Sequence, residues 1–423
     1  MDKFLGNLIC IDWGFTHLKL IALDKNKNYL EKKIVSTDKI SKDNKFYFDL
    51  DLIKIKNIIY DFIFKYSNSE GLKIYSCSQM HGIAGYLKSG ESFFSTWNDE
   101  PTKKYNDEKI KIDSGIPVLI SMPVNKLFID KNKVFLKTKT TDNFFKNQLL
   151  EVKKISSPLC LIFYEIFKQK ISCARSWWQS STIENKQTIN SKRMMRISEK
   201  PLIIKDKVLE EKFIKKIIIF PEQGDLQTSV FKSIYDADVI LNLGTGSQII
   251  FCWKRRSDVF NYFRIFPQNR KFPVISHIPC GKIFHKFALA NDISIQQLMD
   301  KGYLSKISNE NNKDENLTSL LFFPGFCSEE NIYKNINLNL EDAFRKISFE
   351  DIIDLWIDQY VDIINFYFLN VNKETIINLH IIGSLGGIVE SNFSKFKKKF
   401  GSKYKLTHKK FSLIESFEKM YKY

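Results

Sequence analysis

Two stretches of the chain share one pattern: an apolar run, a short polar turn carrying glycine, and a second apolar run. The first is Leu8-Ile9-Cys10-Ile11-Asp12-Trp13-Gly14-Phe15-Thr16-His17-Leu18-Lys19-Leu20-Ile21-Ala22. The second is Val239-Ile240-Leu241-Asn242-Leu243-Gly244-Thr245-Gly246-Ser247-Gln248-Ile249-Ile250-Phe251, with Asn242 standing where Asp12 stands and Gly244 where Gly14 stands. Runs rich in Ile, Val, Leu and Phe, joined by so short a turn, predict β-hairpins. Glycine at the turn lets backbone amides approach a ligand where a Cβ would block it. Either segment alone reads as an ordinary glycine hairpin. The matched pair, with polar residues at matching places, predicts a diverged duplication.

Between the hairpins, apolar residues at helical spacing predict a helix over 50–66 leading into a strand over 72–76, with further helices over 156–170 and 209–216. After the second hairpin, 352–369 reads as a long helix, 376–382 as a buried strand, and Gly383-Ser384-Leu385-Gly386-Gly387 as a glycine-rich turn. Strand, turn and helix in that order imply three-layer α/β lobes. The Asn- and charge-rich stretch 305–316 reads as an exposed loop. A length of 423 residues suits two domains.

Composition changes this picture little. With 43% hydrophobic and 27% charged residues the chain can bury sizeable cores. The formal charge of +17 raises nucleic acid or an acidic membrane as partners, but the lysines are spread along the whole chain beside Asn, Ile and Phe. The densest runs, 395–399 and 403–410, fit solvated faces. Neither nucleic acid nor a membrane is expected as a partner. The seven cysteines are scattered with no CxxC pair, which gives no disulfide framework or zinc site. No apolar stretch reaches the roughly 20 residues that span a bilayer, and the first residues do not read as a signal peptide, so a cytoplasmic location is expected.

Phosphoryl transfer needs phosphate oxygens held by donors, a divalent ion held by carboxylate, and an acceptor hydroxyl aligned for attack. Asp12 stands at the mouth of the first hairpin, where it can hold Mg²⁺, while Gly14, Thr16 and Lys19 can serve phosphates. Gly244, Thr245, Gly246 and Ser247 offer a second cradle of backbone and hydroxyl donors. The turn with Gly383, Ser384, Gly386 and Gly387 leaves room for an adenine or ribose, although a helix-leading loop has the same composition. For an acceptor, Gln79, Met80 and His81 follow a strand, and Trp97, Asn98 and Asp99 follow another. Amide, imidazole and carboxylate groups suit a polyol pocket, and Trp97 can wall one side. Asp225, in Gly224-Asp225-Leu226-Gln227 just before the second hairpin, is placed to accept the proton of an attacking hydroxyl.

The ordered set Asp12-x-Gly14-x-Thr16-x-x-Lys19, Gln79-Met80-His81-Gly82, Trp97-Asn98-Asp99, Gly224-Asp225-Leu226-Gln227, Gly244-Thr245-Gly246-Ser247 and Gly383-Ser384-Leu385-Gly386-Gly387 resembles the FGGY carbohydrate kinases nearly end to end. The Gln-Met-His-Gly and Trp-Asn-Asp pair resembles the ketose branch that includes xylulokinase, and the stretch around Asp225 is most similar to sedoheptulokinase. The resemblance implies an α/β fold of two ribonuclease-H-like (actin/hexokinase-type) lobes with a catalytic cleft between them. Its sugar lobe would be 1–236 and its ATP lobe 237–423. It implies ATP and Mg²⁺ as cofactors, a small-molecule sugar as partner, a monomer or homodimer, Asp225 as catalytic base, Asp12 on the metal side, and Gln79, Met80, His81 and Asp99 at the sugar. Sedoheptulose is the substrate it favours, with xylulose or another pentulose or polyol as the alternative. A non-catalytic sugar- or nucleotide-binding relative is a further reading, as is a nucleotide switch without a sugar. Two departures stand out. The loop around Ser172-Cys173-Ala174-Arg175-Ser176-Trp177 is shortened, and Ser328-Glu329-Glu330 replaces the family's Gly-Glu-Arg. The stretch 125–220 carries no assigned chemistry.

Overall fold

The structure, a computed structural model, describes residues 6–14, 17–36, 52–80, 82–96, 122–131, 133–137, 150–181, 197–244, 246–252, 263–294, 344–345, 347–368, 375–383, 385–410 and 412–421. The predicted loop at 305–316 lies outside them. The chain forms two compact units, one of Met1–Phe231, Phe263–Lys271 and Leu413–Tyr423, the other of Lys232–Tyr262 and Phe272–Ser412. The first unit thus takes in two later segments of chain as well as the N-terminal stretch.

In the first unit the chain runs through β1 (Asn7–Trp13), β2 (His17–Leu23), β3 (Tyr29–Ser36), β4 (Leu72–Ser78), β5 (Ile83–Leu87), β6 (Ser92–Ser95), β7 (Leu127–Asp130), β8 (Lys133–Leu136), β9 (Leu150–Ser156), β10 (Leu202–Leu209), β11 (Lys212–Ile219) and β12 (Gln223–Gly224). The main sheet has the order β10-β11-β4-β1-β2-β3, with β12 also on β4, and β5 to β9 build a second sheet in the order β6-β5-β9-β8-β7. β1, β2 and β3 are an antiparallel meander, and β4 lies parallel to β1. Helix Leu52–Tyr66 makes that crossover possible. It buries Leu52, Ile55, Ile59, Phe62 and Ile63, a stripe at helical spacing, into the core with Ile9, Ile11 and Ile74. The expected helix at 209–216 is instead the turn of the β10/β11 hairpin, in which Val208 pairs with Phe213. Only Leu209, Phe213 and Ile214 are apolar there, too few for a buried helix face, while Phe213 and Ile214 suit a pleated strand. Glu210 takes a left-handed φ of 51° at the turn.

The chain continues through β13 (Val239–Leu243), β14 (Gly246–Phe251), β15 (Phe263–Phe266, part of the first unit), β16 (Arg270–Pro279), β17 (Ile377–Ile382) and β18 (Tyr404–His408). In the second unit the sheet has the order β16-β14-β13-β17-β18. β14 is antiparallel to β13 and β16, and β17 is parallel to β13 and β18. The predicted long helix spans Phe349–Tyr367. It is capped by Ser348, whose Oγ accepts from the Asp351 N–H at 3.1 Å. Trp356, Ile357 and Tyr360 on its inner face fill the core with Leu241, Ile249 and Leu379.

Each unit therefore has the order third-second-first-fourth-fifth, with the first three strands antiparallel and the last two parallel: β3-β2-β1-β4-β11 and β16-β14-β13-β17-β18. That shared topology is what a duplication predicts. It makes the protein an α/β fold of two ribonuclease-H-like lobes.

Candidate functional site

Parallel pairing of β1 with β4, and of β4 with β12, sets the C-terminal ends of three strands side by side. Asp12 is opposite Cys77, and Gly224 is opposite Ser78. Asp225 follows directly and opens the short helix Asp225–Val230. The Gln79 N–H donates to the Trp13 carbonyl at 2.8 Å, which ties the turn after β4 to the end of β1. Gly224 brings that turn and the Asp225 segment into contact. A Cβ there would lie 2.3 Å from Gln227 Oε1 and 2.7 Å from Met80 Sδ, so any other residue would have to displace those side-chain ends. Asp12, Gln79, Met80 and Asp225 thus meet in one place although up to 213 positions separate them (225 − 12).

The electrostatics of this place are uneven. Asp12 pairs across the hairpin with Lys19, Oδ2 to Nζ 3.0 Å, and Cys77 Sγ donates to its other oxygen at 3.5 Å. Burial, then the charges of Asp12 and Asp225, push the Cys77 thiol well up. The Asp225 carboxyl is raised to about 6, chiefly by burial and further by Asp12. A hydrogen bond from the Leu226 N–H and the charge of Arg264 oppose the rise. Burial lowers the guanidinium of Arg264 to about 10, with Asp225 holding it up. The Leu226 N–H meets Asp225 Oδ1 at 2.8 Å. Gln79 is 3% exposed, and among the described residues neither atom of its side-chain amide has a hydrogen-bond partner. A buried amide left so costs about 1–3 kcal/mol, which a polar ligand would relieve.

Buried polar groups behind these residues hold them through hydrogen bonds. Glu222, fully buried, accepts from Ser78 Oγ, from Ser157 Oγ at 2.5 Å and from the Cys160 N–H at 2.9 Å. Trp177 Nε1 donates to Ser78 Oγ at 3.0 Å. Gln223 accepts from Ser176 Oγ at 2.7 Å and donates to the Tyr421 hydroxyl at 2.6 Å. None of these residues, nor Arg264, is given a site role by the sequence, in which Ser176 and Trp177 appear only within the shortened loop. A carboxylate closing the apolar run Ile217-Ile218-Ile219-Phe220-Pro221-Glu222 is the one local sign of them.

Apart from Gly14, the remaining predicted residues belong to the second unit or lie outside the described residues. His81, Trp97, Asn98, Asp99, Thr16, Thr245 and Ser384 are among the latter. Gly14 closes the first turn, its N–H donating to the His17 carbonyl at 3.0 Å. Gly244 accepts from the Gly281 N–H at 3.0 Å, and Gly246 stands open, with no atom of the described residues within 4 Å of where a Cβ would be. Ser247 is fully buried with its hydroxyl 2.6 Å from that of Tyr360 and donating to the Ile278 carbonyl at 3.2 Å. That hydroxyl is turned into the core. Gly383 has a φ of +130°, and a Cβ would fall 2.0 Å from the Leu243 carbonyl oxygen, so its glycine serves the close approach of β17 to β13. Gly386 is less confined: a Cβ would be 3.6 Å from the His408 ring. Gly387 follows it in helix Gly386–Ser391.

No family model and no curated protein matches the sequence. Solved structures match along nearly the whole chain. A xylulose kinase from Rhodospirillum rubrum is similar with a TM-score of 0.63 and 8% identity, over 97% of this chain and 88% of that one. Glycerol kinase from Plasmodium falciparum with ADP gives 0.58 and 14%, over 98% and 88%. Ligand-bound xylulose kinase from Lactobacillus acidophilus gives 0.57 and 14%, over 92% and 82%. At such identities the likeness is one of fold, and the fold it shows is the two-lobed α/β fold of those sugar kinases.

Proposed function

We propose that the protein is an ATP-dependent carbohydrate kinase that moves the γ-phosphoryl group to a hydroxyl of a ketose. The observation that carries this reading is the meeting of Asp12, Gln79 and Asp225 at adjacent strand ends, with Asp225 raised to about 6. A carboxylate that gives up its proton just below neutral pH is matched to general-base work. Asp225 takes the proton of the attacking hydroxyl, and the amide of Gln79 finds its missing partners on the sugar. Met80, His81, Trp97, Asn98 and Asp99 complete the sugar contacts. The sugar lobe, expected at 1–236, is the first unit with its added segments 263–271 and 413–423, and the ATP lobe is the rest of 237–423, where Gly244, Thr245, Gly246, Gly383, Ser384, Gly386 and Gly387 meet the nucleotide. For Ser247 only the backbone is suited to phosphate.

Mg²⁺ fits the donor set. A magnesium ion is commonly held by one or two carboxylates together with waters and substrate phosphates, and Asp12 offers a hard oxygen ligand beside Asp225. The ion would supply charge neutralisation at the transferring group. Lys19, Gly14 and Thr16 then serve the phosphates. Among the described residues no helix is long and apolar enough to cross a membrane. The buried free cysteines suit a reducing cytoplasm.

Sedoheptulose, phosphorylated at its terminal primary hydroxyl, is the favoured substrate because of the residues around Asp225. D-xylulose follows. The test is ADP release with sedoheptulose, D-xylulose, D-ribulose, glycerol and no sugar. Sugar-dependent ADP release supports the kinase, and a tenfold or greater preference for one of the other three overturns sedoheptulose. ADP release that is independent of every sugar overturns the carbohydrate kinase reading.

A further inference from the structure

Glu222 is a titratable group with no part in the chemistry proposed above, and it is among the most deeply buried in the molecule. It stands between β11 and β12, three residues before Asp225. One carboxyl oxygen is met by the hydroxyl of Ser78, the residue before Gln79. The other is met by Ser157 Oγ at 2.5 Å and the Cys160 N–H at 2.9 Å, at the start of helix Pro158–Phe167. Its carbonyl oxygen accepts from the Ala174 N–H at 2.9 Å. One residue thereby joins the turn that carries Gln79, the segment that carries Asp225, a helix end and the stretch 173–178.

The groups that satisfy this carboxyl are two hydroxyls and a backbone N–H rather than a cation, and burial raises its titration above the ordinary range. A buried carboxyl of this kind is costly to the fold, and an apolar side chain would serve packing better. Cys160, Cys173 and Glu222 also place ligand-type atoms within 4.8 Å of one another. A metal there would have to compete with donors that already meet both carboxyl oxygens, so the hydrogen-bond network accounts for the cluster. What the network holds constant is the spacing between Gln79 and Asp225. Phosphoryl transfer is sensitive to that spacing, since misplacement by about 1 Å can cost about 10²-fold in rate.

We infer that Glu222 is a positioning residue for phosphoryl transfer, its buried carboxyl fastening the sugar-contacting turn at Gln79 and the proton-accepting Asp225 to the same helix end. The inference rests on the kinase reading. The test is steady-state kinetics of the full-length protein and of Glu222→Gln, Glu222→Ala, Ser78→Ala and Ser157→Ala, with melting followed for each. Glu222→Ala is expected to lower kcat by about 10- to 100-fold and raise the sugar KM, with the nucleotide KM within about twofold. Glu222→Gln keeps an oxygen for Ser157 and the Cys160 N–H and an amide for Ser78, and should recover most of that loss. The Trp177 indole N–H resonance should move in Glu222→Ala and Ser78→Ala, since Ser78 is its acceptor. If Glu222→Ala fails to fold, the serine variants carry the test, each expected to show the same kcat loss in milder form. Variants that melt earlier but keep wild-type kcat and sugar KM overturn the inference and leave the kinase standing. Wild-type protein that releases no ADP with any sugar overturns both.

Discussion

Replacing Asp225 by Asn separates two consequences of its burial that pull in opposite directions. The carboxyl is raised from its ordinary 3.8 to about 6, with burial the largest cause. A raised carboxyl means that between about pH 4 and 6 the folded protein holds a proton that the unfolded chain has released. Stability therefore falls as pH rises through that window, and above it the ionised Asp225 costs the fold about 3 kcal/mol. The residue keeps partial exposure, so this is an upper value. Asn removes the charge and keeps an oxygen for the Leu226 N–H at 2.8 Å. It gives back about 0.3–1 kcal/mol of favourable charge at the start of its helix. Asp225→Asn should then be about 1–3 kcal/mol more stable than wild type at pH 8, with the gap closed by about pH 4. Turnover should fall by about 10²- to 10⁴-fold, because an amide cannot take a proton. Melting at pH 4, 6 and 8 beside ADP release checks both halves, and wild-type kcat/KM should rise through about pH 6 to a plateau. A variant less stable than wild type at pH 8, or displaced equally at pH 4 and 8, refutes the burial reasoning. One that keeps more than half of wild-type turnover removes Asp225 as the base.

Other positions give independent checks. Asp12→Ala should abolish Mg²⁺-dependent ATP use while leaving sugar affinity measured without nucleotide unchanged; calorimetric titration with sugar alone shows which is lost. Gly383→Ala sets a Cβ 2.0 Å from the Leu243 carbonyl oxygen at a φ of +130° and should cost at least about 2 kcal/mol by chemical denaturation. Gly386→Ala, with its nearest neighbour at 3.6 Å, should stay within about 1 kcal/mol. Tyr421→Phe leaves Gln223 Nε2 and the Pro221 carbonyl without the hydroxyl that meets them at 2.6 and 3.1 Å, and should lower stability by about 1–3 kcal/mol.

Local pattern carried the hairpins, helix Leu52–Tyr66 and helix Phe349–Tyr367, because each has a periodicity that belongs to one kind of element. It failed at 209–216, where Leu209, Phe213 and Ile214 have a spacing that suits a helix as well as a strand, and pairing of Val208 with Phe213 decided for strand. Asp12 stood out at the mouth of a hairpin two residues before Gly14, and Asp225 directly after Gly224 just ahead of the second hairpin. Ser78, Ser157, Ser176, Trp177, Glu222 and Arg264 did not. Their importance comes from contacts across as many as 144 positions, as between Ser78 and Glu222, and the neighbouring sequence gives no sign of it beyond the carboxylate that closes the run before β12. Ser247 shows the converse: its place in a glycine-rich turn reads as a ligand donor, while in the fold its hydroxyl satisfies the buried Tyr360.

The two hairpins, compared position by position, indicate why charge stands in only one of them. Asp12 faces Lys19 across β1 and β2, and Asn242 faces Gln248 across β13 and β14. In the first the tie is an ion pair at 3.0 Å; in the second it is a bond from Asn242 Nδ2 to Gln248 Oε1 at 2.7 Å. A neutral amide pair therefore closes this hairpin without any ionised group. The ion pair gains the fold little over it, since the Lys19 side chain is 43% exposed and such pairs contribute about 0–1 kcal/mol. Stability gives no reason for Asp12 and Lys19 to be charged. A site that handles phosphate and a divalent ion does, because it needs a carboxylate for the metal and a cation for the phosphate within reach of each other. On the kinase reading the pair is a resting arrangement, with Lys19 neutralising Asp12 until Mg²⁺ and nucleotide take up both charges.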